Sequence, residues 1–98
     1  MPQVVRKNVD NHYGHSGPGA PYHKTFYNTG SDTVFVNNEP IVRIGDKLLC
    51  GDQATTGSST VFANNIGVHR KDDQTSGHGT WEPSFAASGS PNVYSGWQ

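Results

Sequence analysis

Apolar and polar positions switch in short bursts along this chain, and nowhere do apolar residues recur at the helical spacing of 3.6 over two turns. Thr33-Val34-Phe35-Val36 and Thr60-Val61-Phe62-Ala63 are β-branched and aromatic runs of strand length. Asn37-Asn38 and Asn64-Asn65 follow them. Asparagine tolerates the positive φ that tight hairpin turns require. Second strands are expected over residues 41–44 and 68–70. The pattern predicts β-hairpins joined by Gly-, Pro- and Ser-rich connections, hence an all-β fold.

The two hairpins are copies of one unit. Gly30-Ser31-Asp32-Thr33-Val34-Phe35-Val36-Asn37-Asn38 returns as Gly57-Ser58-Ser59-Thr60-Val61-Phe62-Ala63-Asn64-Asn65, at an ungapped offset of 27 that persists to Asp46 and Asp73. A third copy is split between the ends of the chain. Gly89-Ser90-Pro91-Asn92-Val93-Tyr94 matches the first half of the unit, and Val4-Val5-Arg6 matches the second. If these pair, the termini close a third hairpin, and residues 1–98 make one pseudo-threefold domain. Three long loops leave the hairpins, at about 7–29, 45–56 and 71–88, and loops of that length are either functional or held by something.

Composition sharpens the question of what holds them. The chain has 98 residues, 32% of them hydrophobic, and domains this small and polar often need a disulfide, a metal or a partner. One cysteine, Cys50, rules out an intrachain disulfide, which leaves the five histidines. A net charge of −1 argues against a nucleic-acid partner. No apolar run approaches the ~20 residues of a membrane-spanning helix, and the N-terminus lacks a signal-peptide core, so synthesis in the cytoplasm is expected.

Each loop carries one sulfur or imidazole ligand beside a glycine, seven to nine residues past the arginine of its repeat: His15 after Arg6, Cys50 after Arg43, and His78 after Arg70. Threefold equivalence would bring these three together on the axis, where Cys and His suit zinc in a closed tetrahedral site and also accept iron. The fourth ligand is expected to be His69, which stands where the other copies have Val42 and Val5. His12 is the rival, and His23 reads as a solvated side chain. The catalytic readings are weaker: there is no HExxH pattern and no Gly-rich phosphate loop. Tyr22, Phe26, Tyr27, Trp81, Phe85 and Trp97 lie outside the repeats and are expected to cover a sparse core, or else to dock a partner.

Taken together, Gly30-Ser31, Val34-Phe35, Asn37, Pro40, Arg43 and Gly45-Asp46 resemble the PAAR-repeat family, and nearest the stand-alone tip proteins of contractile phage tails. Pro40-Ile41-Val42-Arg43 lacks both alanines of the family motif, Gly67-Val68-His69-Arg70 also lacks the proline, Asp72 replaces the Gly of the Gly-Asp pair, and Asn8-Val9 stands where the whole pair is expected. The resemblance implies a cone of three hairpins with a metal near its vertex, and it sets His15, Cys50 and His78 at the family's ligand positions. It further implies a non-enzymatic tip, one monomer sharpening the blunt end of one trimeric β-helical spike. Such spikes serve phage tails and type VI secretion systems and meet the target cell envelope during injection. The alternatives are a small zinc-dependent enzyme and a metal-stabilised binding module.

Overall fold

The computed structural model describes residues 2–95 and is all-β: β1 (His15–Gly17), β2 (Ala20–His23), β3 (Phe35–Val36), β4 (Glu39–Pro40), β5 (Phe62–Ala63) and β6 (Ile66–Gly67). These pair as three antiparallel hairpins, β1–β2, β3–β4 and β5–β6. Among the described residues no helix is long and apolar enough to cross a membrane.

The repeated hairpins turn on paired asparagines. Asn37 and Asn38 have φ of 52° and 68°, and Asn64 and Asn65 have 55° and 64°. Two consecutive positive φ values make the tight turn whose twist matches its flanking strands. A serine seals the entry to each unit. The Ser31 hydroxyl accepts from the Thr33 and Val34 N–H groups, that of Ser58 from Thr60 and Val61, and that of Ser90 from Asn92 and Val93. The split copy closes as the others do. The Val4 N–H donates to the Val93 carbonyl, just as Ile41 donates to Val34 and Val68 to Val61. Ser31 is buried and also donates to Asn64 Oδ1. Ser31→Ala therefore strands two N–H groups and is expected to cost on the order of 1–3 kcal/mol in urea denaturation.

The second strands of the repeated hairpins are β4 and β6, which lie just before residues 41–44 and 68–70, where the sequence pattern leads one to expect them. Residues 41–44 and 68–70 join the copies to each other through bridges of Arg6 with Ile41, Arg43 with Val68, and Val4 with Arg70. Three backbone bonds close a ring: Val5 N–H to the His69 carbonyl at 3.1 Å, His69 to Val42 at 2.9 Å, and Val42 to Val5 at 2.9 Å. Equivalent side chains then form buried layers along this axis. Val5, Val42 and His69 make one, and Tyr27, Ala54 and Ala86 the next. His12, Leu48 and Thr75, the bridge partners of Ala86, Tyr27 and Ala54, make a third. A second apolar cluster of Val4, Val36, Ile41, Ala63 and Val68 lies under the hairpins.

The loops leave the layers by one device used three times. Arg6 pairs with Asp10, Arg43 with Asp46 and Arg70 with Asp73, at 2.8–3.0 Å. Asn8, Gly45 and Asp72 take the positive-φ position of these turns, so Asn8 and Asp72 do the work of Gly45. One extra residue in the first loop moves the acid from Val9 to Asp10. Of the loop aromatics, Tyr27 is buried, Trp81 is half-buried, and Tyr22, Phe26 and Phe85 are exposed. Trp97 lies outside the described residues.

Candidate metal centre

The first long loop is not irregular throughout. Its middle folds as β1–β2 around Pro18-Gly19, with Gly19 at φ 70°, the residue order of a type II turn. The pairing sets His15 opposite His23. The hairpin then rests on the third loop. A Cβ on Gly17 would lie 1.7 Å from the Thr80 carbonyl oxygen, so only glycine permits this approach.

Beyond the His12 layer, four side chains converge: His15 and His23 from the first loop, Cys50 from the second and His78 from the third. The Nε2 atoms of His15 and His23 are 2.7 Å apart, and that of His78 lies 3.2 and 3.3 Å from them. Cys50 Sγ is 3.9 Å from His15 Nε2. A tetrahedral ion with metal–nitrogen bonds of about 2.0–2.1 Å and a metal–sulfur bond of about 2.3 Å needs spacings of roughly 3.3 and 3.6 Å. The two His78 spacings match such a shell, Cys50 stands slightly wide, and the His15–His23 pair is closer than the shell requires. All four ligand atoms lie within 4.8 Å of one another and form a group that could hold a metal ion.

The surroundings prepare the imidazoles for that. His15 Nδ1–H donates to the Glu82 carbonyl at 2.7 Å, which fixes the tautomer and turns the Nε2 lone pair towards the cluster. Burial lowers the pKa of His15 and of His23, favouring the neutral rings a metal requires. Trp81 stacks on both His23 and His78, with ring centroids 4.9 Å apart in each pair, and donates its indole N–H to the Pro21 carbonyl.

Of the residues singled out in the sequence, His15, Cys50 and His78 come together here, and His69 does not. His69 faces the axis but stands in the ring layer, where both its nitrogens are occupied. Its Nδ1–H donates to the Thr56 carbonyl at 2.7 Å, and its Nε2 accepts the Tyr27 hydroxyl at 2.8 Å. Nor does His12 join the four. It lies one layer below, where its Nε2 accepts the Thr25 N–H and its Nδ1 faces Asp52 Oδ2 at 3.3 Å. His23 is not the solvated side chain expected, because the hairpin register carries it to His15 and Trp81 covers its ring. In the sequence Asp52 stands out only as a carboxylate two residues from Cys50, a weak catalytic pairing, and not as a group near the ligands. Its carboxylate is fully buried; burial would raise its pKa, but hydrogen bonds from His12, Thr75 and the Gln53 and Gly77 N–H groups outweigh this and hold it well below the usual range.

No family model matches the chain, and no curated protein matches it.

Proposed function

We propose that this protein is a non-enzymatic tip: a metal-stapled cone whose hairpin end caps the blunt end of a trimeric β-helical spike. The observation that carries the reading is a set of threefold-equivalent exposed aromatics. Phe35, Phe62 and Tyr94 occupy the same position in the three copies and are 55%, 57% and 49% exposed. Val61 and Val93 beside them are exposed as well, and Val34 is half-buried. Large apolar side chains left in solvent at equivalent places suit a partner with matching symmetry, and aromatic residues are favoured in interface cores. A trimeric β-helix ends in three equivalent sets of unpaired strand edges, which such a cap would cover.

The converging ligands of the loops support the same reading. His15, His23, Cys50 and His78 would hold one structural metal ion, with zinc the best match to three imidazoles and a thiolate. Four protein ligands complete a tetrahedral shell and leave no position for a reactive water, which favours a staple over a catalytic metal. The ion would tie all three loops at the vertex, making its binding free energy part of the folding free energy. A tip built this way stays stiff without a large core, whether its spike belongs to a phage tail or to a secretion system.

The test is co-expression with the trimeric spike protein of its own source, followed by native mass spectrometry. One chain per spike trimer is expected, and Phe35→Asp/Phe62→Asp should weaken the complex at least tenfold while leaving the free chain folded. Failure to form a one-to-three complex, or an unaffected double variant, would overturn the assignment.

A further inference from the structure

We propose that Asp52 is the positioning residue of the vertex: one buried carboxylate that sets the ligand loops against each other before any metal arrives. The role rests on the reading of the four-residue cluster as a metal site. Asp52 sits two residues past Cys50, and its backbone carbonyl accepts the Leu48 N–H at 2.8 Å, which closes the turn carrying that cysteine. Its Oδ1 accepts the Gln53 N–H at 2.9 Å, within the same loop. The same oxygen reaches the third loop, accepting the Gly77 N–H at 2.7 Å and the Ser76 hydroxyl at 3.3 Å, directly before His78. Its Oδ2 faces the first loop, where it accepts His12 Nδ1–H at 3.3 Å and lies 3.8 Å from His15 Nδ1. A single side chain with no exposed surface thus touches every loop that supplies a ligand.

The chemistry of this position calls for a carboxylate. The Gln53 and Gly77 N–H groups, the Ser76 hydroxyl and His12 Nδ1–H all donate, and only an ionised carboxylate accepts at both oxygens. An amide of the same shape would turn an NH₂ group towards at least one donor. Bonds between Asp52 and backbone N–H groups are charge-assisted, hence stronger than neutral ones, and they fix loop positions that the short strands leave unspecified. Ordering the loops beforehand lowers the entropy lost when the ligands close on an ion.

The experiment compares the full-length parent with Asp52→Asn in zinc competition titrations against a chromophoric chelator. Melting temperatures of the metal-free proteins and visible spectra of their cobalt(II)-loaded forms complete the comparison. Zinc affinity is expected to fall 10–100-fold, as for other partners that orient metal ligands. The cobalt spectrum should shift away from that of the parent, a signature that general destabilisation does not produce. Should Asp52→Asn fail to fold, Ser76→Ala and His12→Gln each remove one tie, and both should weaken zinc in the same direction by smaller factors. Unchanged affinity and an unchanged spectrum in the variants that fold would overturn the positioning role while leaving the metal site standing. A parent that binds neither zinc nor cobalt would bring down the metal reading itself, and the role with it.

Discussion

Cys50→Ala is expected to lose tight one-to-one zinc binding and to lower the melting temperature of the zinc-supplied protein by roughly 15–30 °C. Ligand present at about a thousand times its dissociation constant stabilises a fold by about 4 kcal/mol. In a domain of this size each kcal/mol moves the midpoint by about 4–8 °C. The sulfur is one of four converging ligand atoms, and three imidazoles alone form a weaker, open site. Without zinc the substitution should matter little, because Cys50 is only half-buried. Scans with and without a chelator separate the two effects: the parent should collapse towards the variant once the metal is removed. A variant that keeps both its zinc and its melting temperature would refute the staple.

Tyr27 and His69 should show the second large effect, and it should be non-additive. Tyr27→Phe removes the hydroxyl that donates to His69 Nε2, and His69→Val leaves the Tyr27 hydroxyl buried without its acceptor. Each single change is expected to cost on the order of 1–3 kcal/mol. In the double variant both polar atoms are gone, and valine restores the residue type found at Val5 and Val42, so the cost should shrink well below the sum. The pair also has a pH signature. Burial lowers the His69 pKa from 6.5, so the unfolded chain binds that proton more tightly than the folded one. The stability of the neutral pair is complete above about pH 6.5 and is lost as the pH falls below it. Urea midpoints from pH 7 to 5 should therefore fall more steeply in the parent than in the double variant. Equal slopes, or additive costs, would show that the bond carries little weight.

The fold was legible where the repeat was. β-Branched runs ending in paired asparagines mark two hairpins, and the 27-residue offset carries that reading to the split copy at the termini. Repeat equivalence also picks out His15, Cys50 and His78, because each copy sends one loop to the axis. The same logic had no means of finding His23. That residue arises from a hairpin present in the first loop alone, within a Gly- and Pro-rich stretch that has no strand signature. A hint was available in the placing of His15 and His23 on either side of Pro18-Gly19, symmetric to within one residue. His69 misled for a related reason. Facing the axis is a matter of azimuth, whereas ligation also depends on height along the axis, and the intervening layers place His69 among Tyr27 and the valines. The role of Asp52 was not legible: its nearness to Cys50 suggests at most a weak catalytic pairing, and nothing in a Cys-Gly-Asp turn announces that its carboxylate will be buried among three loops.

The backbone ring of Val5, Val42 and His69 has a consequence for how a cap of this kind would sit. The ring and the aromatics of the hairpins repeat three times, while Tyr27 and His69, which break the repeat, are buried, and the β1–β2 hairpin belongs to the first loop alone. On a partner with true threefold symmetry, such a base has three seats related by 120° rotations and nearly equal in energy. Occupying any one of them favours association by a degeneracy of RT ln 3, about 0.7 kcal/mol. It also leaves the azimuth of the vertex undetermined from particle to particle. Images averaged with imposed threefold symmetry would blur β1–β2 into three faint copies, and sorting particles by seat should restore it as a single feature in three equally populated classes.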